Sequence, residues 1–323
     1  MSAPDVAGLY RRFAEVEARG SSQTYERLCL AISEHAGVLA FLRTVPPLKR
    51  QPNLLLGALR LLGADVGDPM AALDFAIEHS EDLRAVMLAR STQTNEPARC
   101  AVLLPALALL PEPLAILEVG ASAGLCLQYE KYSYAYLGED GGSVRVGEGA
   151  LTLPCLVEGV SPPERVPQIA ARLGLDANPL DASDPDVARW LECLVWPEHT
   201  ERAERLGAAL TVAASDPPVV VRGLAPRDLP TAVEHLRADA PDATLVVVHS
   251  AMVAYLDRPH RAALARACRA AGARRLGLEG AQVTADLGVP VPAGDFGGRF
   301  LLTLDDVVLG HADPHGRELA WLA

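Results

Sequence analysis

The sequence predicts an α/β protein: a mostly parallel sheet covered by helices, preceded by an all-helical N-terminal unit. Three observations carry this. Apolar residues recur at helical spacing through the first hundred residues, with no strand-like alternation. From Leu114 the pattern changes to short apolar runs alternating with helical stretches, as βα units require. At that change AILEVGASAGLCL (115–127) places an acid near the end of an apolar run, followed by a turn of glycines and small residues. The expected division is a helical domain over 1–110 and an α/β domain over 111–323.

Taken in order, Leu9, Phe13 and Val16 form one apolar stripe, Tyr25, Leu28 and Ile32 a second, and Leu54, Leu55, Leu59 and Leu62 a third. Pro46-Pro47 and Gly67-Asp68-Pro69 punctuate these helices. LAILEV (114–119) is the first strand, and a helix is expected from the glycine turn through Tyr136. Tyr129, Tyr132, Tyr134 and Tyr136 would give that helix its aromatic character. Residues 138–159 hold two Val/Leu runs split by glycines and predict a hairpin insertion. A short strand or turn follows at 168–181, then strands at 218–224, 244–252 and 273–280, separated by helical patterns at 186–213, 227–239 and 258–271. FLLTLDDVVLG (300–310) reads as a closing pair of strands at an antiparallel edge.

Composition excludes several classes. Half the residues are hydrophobic but only 5% aromatic, so the core is aliphatic. A net charge of −12 without a basic block disfavours a nucleic-acid partner. The five arginines between Arg261 and Arg275 sit among alanines at helical spacing and describe a solvated face. Six widely spaced cysteines form no Cys-x-x-Cys pair and fit buried thiols in a reducing compartment. The N-terminus lacks the apolar segment of a signal peptide, and no run of 18 apolar residues occurs. The expectation is a cytoplasmic protein with neither membrane nor nucleic-acid partner. His311 and His315 are separated by Pro314, which argues against a helical metal pair, so no metal is expected. Neither a P-loop nor a Gly-x-Ser-x-Gly elbow is present.

Candidate site residues fall in three stretches. In Glu118-x-Gly120-x-Ser122-x-Gly124, a strand-end carboxylate precedes a loop whose bare backbone a nucleotide-bearing ligand can approach. A carboxylate there suits a methionine or adenosine moiety better than a triphosphate. The plainer alternative is a turn that serves only close helix–strand packing. Upstream, Arg90, Gln93, Thr94, Asn95, Glu96 and Arg99 form the densest polar cluster outside the glycine loop, in which Arg90, Gln93 and Asn95 offer substrate contacts, although Asn95 or Thr94 could instead cap the next helix. Asn53 could join them or act as a cap, and Tyr129 is near enough in sequence to the loop to touch a ligand. His249 ends an apolar strand at the carboxyl edge, where it could be a general base or simply bond a neighbouring backbone group.

Several stretches resemble one bacterial family, the domain of unknown function 2332. They are ARSTQTNEPARCAVLLPAL (89–107), EVGASAGL (118–125), LDANPLDASD (175–184), WPEHTER (196–202), VVVHSAMVAYL (246–256) and HADPHGRELAWL (311–322). The resemblance implies a Rossmann-like fold of the class I S-adenosylmethionine-dependent methyltransferase type behind a helical extension. It implies a cofactor pocket with Glu118, Gly120, Ser122 and Gly124 around the methionine part and Asp176 on the ribose hydroxyls. Two departures bear on that pocket: Cys126 stands where the family usually has Asn, and Leu224 replaces an acid beside the adenine position.

Three functions follow as expectations. One is methyl transfer from S-adenosylmethionine to a small polar metabolite. Another is a methyltransferase-fold enzyme that has lost the cofactor and performs a substitution or cyclisation, with Glu96, Glu118 or His249 as base. The last is a non-catalytic partner subunit or sensor within a homo- or hetero-oligomer.

Overall fold

The computed structural model describes residues 5–322. These form two compact units, one running up to Thr94 and including Asp184–Gly207, the other comprising Asn95–Ser183 and Ala208 onward. The first carries α1 (Val6–Arg12), α2 (Gln23–Glu34), α3 (Ala36–Thr44), α4 (Pro52–Leu62), α5 (Pro69–Glu78) and α6 (Ser80–Ala89). Then α7 (Arg99–Leu107) opens the second unit, and α8 (Pro185–Leu194) returns to the first, packing on α4. The stripe Tyr25–Leu28–Ile32 is buried as expected, and so are Leu54, Leu55 and Leu59. The first stripe is rotated. Leu9 and Val16 face outward, while Val6, Tyr10, Phe13 and Ala14 take the core, because the larger rings at 10 and 13 win the buried face.

The sheet unit contains β1 (Leu114–Val119), β2 (Tyr132–Gly138), β3 (Ser143–Val146), β4 (Leu151–Glu158) and β5 (Ile169–Asp176). The C-terminal part of α9 (Thr200–Ser215) leads into β6 (Val220–Arg222), α10 (Leu229–Asp239), β7 (Thr244–Ser250), α11 (Arg258–Ala270), β8 (Arg274–Gly280) and α12 (Ala281–Asp286). Strands β9 (Phe300–Leu304), β10 (Val307–Ala312) and β11 (Glu318–Trp321) complete it. Among the described residues the sheet order is β3-β2-β4-β11-β10-β9-β8-β7-β1-β5-β6. The run β6-β5-β1-β7-β8 is parallel throughout, and β9 is antiparallel to β8. From β1 the chain winds outward through β5 to β6, then returns to the other side of β1 for β7 and β8. The direction of winding therefore reverses at β1 and β7, and open α/β sheets bind ligands at the carboxyl ends beside such a reversal.

Register assigns the faces. Glu118 pairs with Val248 and Val119 with His249, so Glu118 and His249 point to opposite sides of the sheet. On the Val119 side, Ala115, Leu117, Leu245 and Val247 pack against Leu229, Val233 and Leu236 of α10 and Leu264 and Cys268 of α11. The Glu118 side is covered by α7, which lies on β4, β8 and β9.

Three local expectations are corrected. No helix follows the glycine turn: two short 3-10 turns, Leu125–Leu127 and Tyr129–Lys131, lead directly into β2. Tyr132, Tyr134 and Tyr136 alternate, and a period of two turns all three rings to one buried face. The insertion is not a hairpin between its two apolar runs either, since β3 pairs antiparallel with β2 and β4 lies parallel to β2 on its other side. Nor do β9 and β10 form an edge. The unforeseen β11 pairs with both β10 and β4 and carries the sheet onward.

These tyrosines also repair α7. Pro105 has no N–H, so it cannot donate to the carbonyl of Ala101 four residues earlier. The hydroxyl of Tyr136 donates to that carbonyl at 2.9 Å. Tyr136→Phe is expected to cost about 1–3 kcal/mol, because a buried acceptor loses its partner. In a Pro105→Ala background the new N–H can take the carbonyl, and the same substitution should cost clearly less. Equal losses in both backgrounds, measured by denaturant unfolding, would refute the compensation.

Candidate functional site at the carboxyl edge of the sheet

β1 ends because the fully buried run meets Gly120, whose backbone is left-handed (φ 80°). The turn that follows is closed by its own neighbours. Gly120 N–H donates to Leu175 O at 2.8 Å, Ser122 N–H to Asp176 Oδ2 at 2.8 Å and Gly124 N–H to Ala121 O at 2.7 Å. Ala123 N–H donates to Asn95 Oδ1 at 3.2 Å, and Asn95 Nδ2 donates to Ser122 Oγ at 3.0 Å. Asp176 spends its other oxygen on Asn178 N–H at 2.7 Å. The glycines are needed for close approach: a Cβ on Gly120 would lie 2.7 Å from Met252 Cβ, and one on Gly124 2.5 Å from Pro218 Cγ.

Asn95 therefore braces the turn and does not cap α7. That helix starts at Arg99 with Ala98 at its cap position and no side-chain cap. Glu96 is buried, accepting from Ala98 N–H through Oε1 at 3.2 Å and from the Cys126 thiol through its carbonyl at 3.4 Å. Arg99 is buried as well. Its Nε donates to Pro314 O at 2.9 Å and its Nη1 to Ser250 O at 3.4 Å.

Glu118 faces this group. It is 5% exposed, and its Oε2 is buried with no hydrogen-bond partner. Burial pushes its carboxyl well above the usual range, the neighbouring Cys126 and Asp176 add to the rise, and the Arg99 guanidinium opposes it. Tyr129, also buried with a partnerless hydroxyl, has its phenol pushed up by burial and by the thiols and carboxyl around it. One buried cluster of Glu96, Arg99, Glu118, Cys126 and Tyr129 thus lies under the turn.

On the opposite face His249 is fully buried. Its Nδ1 lies 3.1 Å from Glu279 Oε1, which also accepts from Met252 N–H at 3.2 Å and Val253 N–H at 3.1 Å. Its Nε2 and Glu279 Oε2 have no partner. Gly277 leaves the room for this ring, since a Cβ there would stand 2.7 Å from both His249 Cε1 and Thr303 Oγ1. Glu279 thereby anchors the segment whose Met252 seats on Gly120.

Of the remaining candidates, Asn53, Arg90 and Gln93 belong to the helical unit. Asn53 Oδ1 accepts from Trp196 Nε1 at 3.0 Å, and the Arg90 carbonyl accepts from Lys49 Nζ at 2.5 Å. Both contacts hold that unit together. Gln93 is half-buried there. Sequence reading missed Glu279, although it ends an apolar strand as Glu118 does, and that parallel was a usable signal. It also missed the Cys100–Cys126 contact and the Pro314 carbonyl under Arg99, for which no local signal exists. Among the described residues no three His, Cys, Asp or Glu side chains gather as a metal site, and no helix is long and apolar enough to cross a membrane.

A family model described as an uncharacterized protein conserved in bacteria, DUF2332, matches residues 7–321. The chain belongs to this family. No curated protein and no solved structure matches it. For a DUF2332 chain whose match covers nearly its full length, any reading of chemistry has to start from the cluster itself.

Proposed function

We propose that this DUF2332 protein is an enzyme of small-molecule metabolism on a methyltransferase-like scaffold, using Glu118 as its acid–base group and no methyl donor. The scaffold part rests on the parallel run β6-β5-β1-β7-β8 with β9 antiparallel beside it, and on the winding reversal at β1. The observation that carries the chemistry is a strand-end carboxyl that is buried, lacks a partner on Oε2 and stands beside a guanidinium. Burial moves a carboxyl upward, toward the range in which acid–base catalysis operates. Its substrate class is a small polar molecule with an amine or hydroxyl to place on the carboxyl. Arg99, tethered to two backbone carbonyls, keeps a fixed positive charge nearby.

S-adenosylmethionine does not fit the turn well. The N–H groups of Gly120, Ser122, Ala123 and Gly124 are already bonded within the chain, and both oxygens of Asp176 already accept from backbone. No α-helix N-terminus follows to offer further donors. The half-exposed Leu224 supplies no acid beside an adenine position.

Calorimetric titration of the intact, ligand-stripped chain tests this reading, with wild type compared to Asp176→Ala. No heat with S-adenosylmethionine is expected from either protein. Saturable binding to wild type that Asp176→Ala abolishes would overturn it and restore methyl transfer.

A further inference from the structure

The six cysteines are not equivalent. Cys29, Cys155, Cys193 and Cys268 are held as neutral thiols, each pushed up chiefly by burial, Cys155 to about 12 and Cys268 to about 11. Cys100, the second residue of α7, and Cys126, in the turn after Gly124, instead meet across the cluster. The Cys100 thiol donates to the Cys126 carbonyl oxygen at 3.7 Å, and the Cys126 thiol donates to the Glu96 carbonyl at 3.4 Å, so both thiols lie in the same buried pocket. Cys126 is 8% exposed, whereas Cys100 is fully buried. The neighbouring Cys100 thiol and the Arg99 charge hold the Cys126 thiol below its ordinary range against the effect of burial, while Cys100 is pushed up. A more acidic, slightly exposed thiol backed by a neutral buried one is the arrangement of an attacking and a resolving cysteine.

We propose that Cys126 and Cys100 form a reversible disulfide when the protein meets a hydroperoxide. The Cys126 thiolate attacks one peroxide oxygen, the O–O bond breaks, and Cys126 becomes a sulfenic acid as hydroxide or alkoxide leaves. The Cys100 sulfur then attacks the Cys126 sulfur, the S–O bond breaks, and the departing hydroxide takes the Cys100 proton and leaves as water. Two thiols lose two electrons, and the peroxide gains them. A dithiol reductant reverses the bond by exchange. The disulfide needs the sulfurs about 2.05 Å apart, and the movement that brings them there falls on the turn 124–127. The modification does not depend on the acid–base role of Glu118. If that role holds, oxidation also removes the ionisable thiol that helps raise the Glu118 carboxyl, and the site would be switched.

The test exposes the native full chain to hydrogen peroxide, blocks remaining thiols by alkylation after denaturation, and maps peptides without reduction. A linked pair of Cys100 and Cys126 peptides is expected, two hydrogen masses below the sum of the thiol forms and absent after dithiothreitol. The other four cysteines should remain alkylated. In Cys100→Ser, Cys126 should be trapped as a sulfenic acid by dimedone and proceed to sulfinic acid. Wild type in which Cys126 stays alkylated, or reaches sulfinic acid without any cross-link, overturns the proposal, whatever the fate of the Glu118 reading.

Discussion

Glu118→Gln is expected to raise the melting temperature at neutral pH and to abolish ligand-dependent stabilisation. The folded-state carboxyl is raised by burial, so the native chain keeps a proton that the unfolded chain releases. Its protonated form is fully favourable below the unfolded value of about 4.3. Stability is then lost as pH rises from there through the folded value, because the native state binds more protons than the unfolded one. Glutamine keeps the shape and has no proton to lose. Each unit by which the folded carboxyl's value exceeds the unfolded one costs about 1.4 kcal/mol once pH is above both, and about 2–4 °C of melting temperature accompanies each kcal/mol in chains of about 150–250 residues. The variant should therefore gain several degrees at neutral pH and progressively less as pH falls. Thermal unfolding across about pH 5 to about pH 8 checks the sign. Coincident curves for the two proteins would mean that the carboxyl is not desolvated. A variant both more stable and inert toward the small polar ligands that stabilise wild type is the expected signature of a site that trades stability for function.

Gly124→Ala is expected to be strongly destabilising. The residue sits at φ 70°, where an alanine costs roughly 1–2 kcal/mol. Its new Cβ would also lie 2.5 Å from Pro218 Cγ and 2.9 Å from Pro218 Cβ. Overpacking of that kind adds about 1–3 kcal/mol, so the total is roughly 2–5 kcal/mol. Gly63→Ala is the matched control. Gly63 has φ 94° with nothing within 4 Å of a Cβ, and only the backbone share of the loss, roughly 1–2 kcal/mol, should appear. Denaturant midpoints for both variants decide the point. Equal losses would show that Gly124 is a conformational requirement alone and that the close approach to Pro218 carries no weight.

The sheet's parallel core was legible because its strands are short apolar runs bounded by turns, and β1, β5, β7 and β8 lie where those runs predicted. The tyrosine segment misled because a glycine turn after a strand usually introduces a helix. Alternation at 132, 134 and 136 outweighed that expectation once three rings could be buried on one face. β11 was invisible because ELAW has only four residues and draws its order from β4 and β10, both distant in sequence.

By itself the sequence determined that Glu118 ends a buried strand, that a glycine turn follows it, and that His249 ends a neighbouring strand. Those are consequences of local periodicity, which needs no partner to be read. Only the tertiary structure decided what these groups can do. Register put Glu118 and His249 on opposite faces. Asn95 and Asp176, 28 and 54 residues from the turn atoms they bond, hold the N–H groups of Ala123 and Ser122. Arg99 and Cys126 met Glu118 in a buried pocket, where a carboxyl's proton affinity is set by its neighbours. Hydrogen-bond satisfaction and desolvation depend on which groups converge in space, and convergence is not written in any window of the chain.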